Sequence, residues 1–264
     1  MSEAPPATAS RRSLGSPLSG GWAEVPASTQ TRGMLVTEII VVVLGVMGPS
    51  IGVALMDLAS RTVTGRQLSD PFILFMPGHD QLAVALACVY LAIWLAAGLV
   101  VVVYVLLRSG ETLRTLGLSL TEKRRDLLLL LPVGVLALGL QSLGSHLPQA
   151  GVPAGTSYVP IPVPAVYAVT MVARSLQAGI LEEVVVLGFL ITRLRQLGVH
   201  PLLCVVISSL VRGSYHIEYG WATFGPVLFG VGMALVYLRS RRLLPAIAVH
   251  AGYDIWVTFQ NYRF

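Results

Sequence analysis

Four acids and bases of the C-terminal third stand where water is scarce. Glu182 and Glu183 are neighbours inside LQAGILEEVVVLGFL, and His250 and Asp254 lie four apart inside LLPAIAVHAGYDIWVTF. A carboxylate at membrane depth costs about 2.5–3.5 kcal/mol on insertion scales, so an adjacent pair needs a reason. Either the pair sits near a helix end and snorkels to water, or one or both face a hydrated cavity within a bundle. Neighbouring positions on a helix point about 100° apart, so the two carboxylates cannot form a symmetric dyad acting on one atom. Their roles should differ. One suits a general base toward water, while the other accepts hydrogen bonds that hold a neighbouring side chain.

A fifth group, His216, closes the segment SSLVRGSYHIEYG, in which Arg212 precedes it by four residues and shares its face if the helix continues that far. A lone histidine at a helix end is usually structural. His250 and Asp254 share one face of the last segment, and so polar a pair in an apolar helix should meet partners across the bundle. Three segments thus supply two imidazoles and three carboxylates. That inventory suits a divalent metal such as zinc, held by Glu183, His216 and His250, with a remaining carboxylate taking a proton from bound water. It equally suits a metal-free site in which a glutamate activates water and histidine stabilises an oxyanion. Spacing does not choose between them. HExxH is absent, since Ile217, Glu218 and Tyr219 follow His216; there is no Walker A, and neither a GxSxG nor a GxGxxG stands in a strand-to-helix setting.

The elements that must position these residues are apolar throughout. The 264-residue chain is 55% hydrophobic and only 12% charged, against about 25% charged in ordinary soluble domains. The expected fold is an all-α integral membrane protein. Apolar runs over 34–57, 82–107, 126–144, 163–191, 201–216, 223–238 and 243–260 predict a polytopic bundle of seven transmembrane helices, or eight if 163–191 divides into an interfacial piece and a span. Residues 1–32, rich in Ser, Pro, Ala and Gly, read as a disordered tail ahead of a membrane domain over 33–264. Cys88 and Cys204 each lie within an apolar run and read as packing residues. Gly48 and Gly52 have the GxxxG spacing of a close helix crossing. No internal repeat points to a transporter built of two halves.

The net charge of +5 comes from short basic clusters between apolar runs. This pattern suits orientation in a bilayer and not a nucleic-acid partner. With seven spans, alternate sides carry thirteen and four Lys and Arg residues, which places the N-terminus and the loops 108–125 and 239–242 in the cytoplasm of a multi-pass cell-membrane protein.

Three ordered motifs give the chain a family likeness. Glu182 and Glu183 match the paired glutamates of EExxxR, His216 matches the histidine of FxxxH, and His250 with Asp254 matches HxxxN or HxxxD. In these the chain resembles the CPBP intramembrane endopeptidases, the CAAX prenyl protease and bacteriocin-processing (Abi) family, over about 113–258, including Leu116 to Leu118 before a basic loop. The resemblance implies a helical intramembrane protease that cleaves a membrane-associated peptide or protein. Its glutamate would activate water, while His216, His250 and Asp254 position or polarise the scissile group. Two positions depart from the pattern: Leu187 stands where the motif has arginine, and Arg212 where it has phenylalanine. Arg212, or Arg174 two turns before Glu182, is therefore expected to supply the missing positive partner. If that charge is lost to function, the alternative is a non-catalytic relative acting as an immunity or scaffold protein. A proton-coupled transporter using the buried acids as a relay is a third class.

Overall fold

A bilayer offers the backbone no hydrogen-bond partners, so a chain of long apolar runs must satisfy its amides within helices. The computed structural model describes residues 22–64, 81–145, 161–162, 165 and 167–263 and is helical at every apolar run. Helix α1 (Arg32–Val42) passes through a π-helical turn (Val43–Met47) into α2 (Gly48–Thr64), forming one rod. Then come α3 (Gln81–Arg108) and α4 (Lys123–Ser145). Helix α5 (Tyr167–Glu182), a second π-helical stretch (Glu183–Phe189) and α6 (Leu190–Gln196) make a further rod, followed by α7 (Pro201–Ser214), α8 (Phe224–Ser240) and α9 (Leu244–Asn261). The run expected over 163–191 is thus one rod from 167 to 196. A two-residue parallel pairing joins Ile161–Pro162 to Tyr262–Arg263.

Five stretches are long and apolar enough to cross a bilayer: Arg32–Ala59, Val84–Arg108, Lys123–Gly144, Ala168–Gln196 and Ile217–Ser240. The chain is a polytopic helical membrane protein. Of the stretch expected as a disordered tail, residues 1–21 lie outside the described residues. Trp22 lies under the Arg239 guanidinium at 5.0 Å, and the Ala23 amide donates to Leu238 O at 2.9 Å. Most of the loop expected over 145–162 also lies outside them.

The rod over 168–196 is the axis of the bundle. Its apolar window is 78% buried inside the protein, against 17% for the windows in α3 and α4, whose Val100, Leu107, Leu127 and Leu131 face outward. Small residues set the closest crossings. A Cβ on Gly232 of α8 would sit 2.6 Å from Ala137 Cα of α4, and Gly144 of α4 lies directly against the Gly225 backbone. The GxxxG pair is not used this way, because a Cβ on Gly48 or Gly52 would meet nothing within 4 Å among the described residues.

The basic loops are tied down as well as counted. Arg193, fully buried, places Nε 2.9 Å from Glu38 Oε2 and donates through Nη1 to Glu111 Oε2 at 2.6 Å and Gln196 Oε1 at 2.7 Å. Arg242 grips the Asp126 carboxylate and donates to Ser119 O at 2.6 Å. Arg193 thus ties α1 and the 109–119 loop to one end of the axial rod and fixes its rotation, while Arg242, between α8 and α9, ties the start of α4 to that loop.

Candidate active site

Glu182 is the last residue of α5 and Glu183 opens the π-helical stretch. Such turns close i to i+5 and are frequent at functional sites. The slack carbonyls are captured from outside: Ser208 Oγ of α7 donates to Val186 O at 3.0 Å, and Tyr237 OH of α8 lies 3.4 Å from Gly188 O. The widened turn has a chemical result. Both carboxylates, although adjacent, reach the same guanidinium.

That guanidinium belongs to Arg212, in the last turn of α7 and 2% exposed. Nη1 donates to Glu182 Oε2 at 3.2 Å and Nη2 to Glu183 Oε1 at 2.6 Å. From α9, His250 Nδ1 lies 2.6 Å from the same Glu183 Oε1. With Glu183 ionised and acceptor-only, Nδ1 carries the proton. His250 Nε2 then faces Asp254 Oδ2 at 3.5 Å and Glu182 Oε2 at 4.0 Å. The α9 helix comes this close because Gly179, one turn before Glu183, faces Ala251. A Cβ on Gly179 would lie 2.8 Å from the Ala251 amide nitrogen.

Exposure separates the acids. Glu183 is fully buried, the Glu182 side chain is 15% exposed and that of Asp254 34%. Phe229 of α8 walls the cluster, with its ring 5.6 Å beneath the Arg212 guanidinium and 5.4 Å edge-on to His250. Ions so enclosed are held only when paired in good geometry, because water no longer solvates them. Arg212 provides that pairing for both glutamates.

Of the residues singled out in the sequence, Glu182, Glu183, His250 and Asp254 converge, and Arg212 joins them as the positive partner expected in place of a motif arginine. Leu187 is buried in the apolar core. The His216 ring makes no hydrogen bond or ion pair with the carboxylates among the described residues. The α7 helix stops at Ser214, whose hydroxyl bonds back to Val211 O at 2.6 Å and competes with the helical amides there. Arg212 and His216 therefore do not share a helix face. The His216 ring lies 4.8 Å from Tyr215 and stacks at 5.3 Å on Tyr219, and among the described residues it makes no hydrogen bond.

The position of His216 bears on the metal expectation. Among the described residues no group of three His, Cys, Asp or Glu side chains is placed to hold a metal ion. Glu183 is bonded through Oε1 to a guanidinium and an imidazole, while its buried Oε2 has no hydrogen-bond partner among the described residues. In this arrangement Glu183, His216 and His250 do not form a three-donor metal site.

Tyr215 carries no motif spacing and was not legible in the sequence. Its hydroxyl donates to Glu182 Oε2 at 2.8 Å. The only hint was its place beside His216.

Comparison with known proteins agrees with where these residues lie. Residues 164–256, which contain the whole cluster, match the family model described as type II CAAX prenyl endopeptidase Rce1-like. No curated protein and no solved structure matches the chain.

Proposed function

Taking residues 164–256 as an Rce1-like type II CAAX prenyl endopeptidase domain, we propose that the protein is an intramembrane endopeptidase acting on a membrane-associated peptide or protein. The observation that carries this reading is the meeting of Glu182, Glu183, Arg212, His250 and Asp254, from three helices, in one largely buried cluster. Glu182 is the general base. Its Oε2 is held by Arg212 and Tyr215, while its Oε1 has no partner among the described residues and its side chain retains exposure. It takes one proton from water as the oxygen attacks the scissile carbonyl. The negative charge that develops on the carbonyl oxygen lies beside the Arg212 guanidinium. Collapse of the intermediate breaks the C–N bond, and the proton on Glu182 passes to the departing amine, leaving a carboxylic acid and a free amine. Glu183 does not meet water. It fixes the His250 ring through Nδ1, so that Nε2 faces the space between Glu182 and Asp254.

Purified protein in nanodiscs, given a library of membrane peptides, tests the reading. The parent should cleave, and His250→Ala should lower the rate by about 10²–10⁴-fold with the helical content intact. A parent protein that cleaves nothing, with cellular function surviving the substitution, would instead favour a scaffold or immunity protein. Proton flux lost with the substitution would favour transport.

We read all seven rods as spans, with the N-terminus and the basic loops in the cytoplasm. At 1.5 Å per residue, Glu182 then lies roughly 16 Å from Arg193 along the rod, well inside the hydrocarbon region. A cysteine at exposed position 27, in a Cys88→Ala, Cys204→Ala background, checks the orientation. Impermeant maleimide should label it only after cells are opened, and labelling of intact cells refutes the orientation.

A further inference from the structure

Tyr215 stands just past the end of α7, is 5% exposed, and makes one side-chain hydrogen bond, to Glu182 Oε2 at 2.8 Å. That oxygen also receives Arg212 Nη1 at 3.2 Å. The arginine alone defines Glu182 poorly, because its other nitrogen makes the shorter bond, 2.6 Å, to Glu183. The guanidinium plane is therefore set chiefly by Glu183. A glutamate has three rotatable side-chain bonds, and one long bond to a shared donor leaves its outer oxygen free to swing. Two donors converging on Oε2 from different residues remove that freedom.

We propose that Tyr215 is the positioning residue of Glu182: its hydroxyl pins Oε2 and so holds Oε1 in the single orientation that meets the reacting water. The inference rests on the reading of the protein as a glutamate-dependent endopeptidase. It also gives the neighbouring rings a place in the site. Tyr215 contacts His216, and His216 stacks on Tyr219, so the phenol that holds the base is braced by a row of aromatic rings.

Tyr215→Phe keeps the ring and its stacking while removing the donor. For full-length protein in nanodiscs, kcat should fall about tenfold or more, as expected for loss of a hydrogen bond to a charged group, with KM little changed and the helical content intact. Infrared difference spectra against Glu182→Gln isolate the carboxylate stretch of Glu182. This band should move in the Phe variant whether or not substrate is present. An unchanged kcat overturns the proposal, and so does a lowered kcat with an unmoved band, because the loss then arises elsewhere. Should the Phe variant fail to fold, 3-fluorotyrosine at position 215 keeps the shape and strengthens the donor, so the band should shift the opposite way, and a fixed band is again fatal. A parent protein without cleavage fells the endopeptidase reading and this inference together, whereas an active parent with an indifferent Tyr215→Phe fells this inference alone.

Discussion

Arg212→Leu is expected to abolish cleavage, by at least about 10³-fold, and to destabilise the protein by about 3–5 kcal/mol, the usual cost of removing one partner of a buried ion pair. Both glutamates lose their shared cation at once. Two adjacent carboxylates without compensation in a dry interior will take up a proton or draw in water, and the base is then neither ionised nor aligned. Cleavage rate and thermal unfolding in detergent read the two effects, and full activity in the variant would remove Arg212 from the site. A paired substitution sharpens the test. Position 187 lies four residues after Glu183, where the family's motif carries its arginine. Arg212→Phe combined with Leu187→Arg restores the family's arrangement of charge and aromatic ring, and it should recover a measurable part of the activity that Arg212→Phe alone loses.

The second large effect separates the two glutamates by kind. Glu182→Gln should lower kcat by about 10²–10⁴-fold, as for loss of a general base, with little change in the unfolding midpoint, because the side chain retains contact with water. Glu183→Gln should cost stability first. Its Oε1 takes bonds from both Arg212 and His250 at 2.6 Å, and bonds to a charged group contribute about 1.5–3 kcal/mol each. Its rate loss should follow from a loosened His250, and substrate binding should weaken with it. The opposite pattern, a stable but inactive Glu183→Gln beside an unstable but active Glu182→Gln, would reverse the assignment.

What the sequence made legible follows from which physical signals are local. Membrane helices announce themselves through the cost of apolar side chains in water and of bare amides in lipid, so each apolar run became a helix within a few residues of its expected ends. The meeting of Glu182, Glu183, His250 and Asp254 was legible because isolated polar groups in apolar helices need one another. Helix termination was not. The helix stops at Ser214, whose hydroxyl bonds back to Val211 O, so Arg212 and His216, four residues on, do not share the face that their spacing suggested. Tyr215 was invisible for a related reason: a tyrosine near a helix end resembles an interfacial anchor, and only the packing shows its hydroxyl turned inward to Glu182. The glycines divide similarly. Gly48 and Gly52 have the spacing of a contact and make no close one among the described residues, whereas Gly179, with no motif around it, is where α9 closes on the site.

The π-helical stretch from Glu183 to Phe189 acts as a phase shift between two gears on one shaft. One gear is the glutamate pair, meshed with Arg212 and His250; the other is Arg193, ten positions along and meshed with Glu38 and Glu111. An ordinary helix advances about 100° per residue, so one residue more or fewer between them turns one gear by that angle against the other. The side chains of the valines at 184–186 are buried in the apolar core. Their number nevertheless indexes the chemistry at one end to the anchorage at the other, and in this rod length is as constrained as identity.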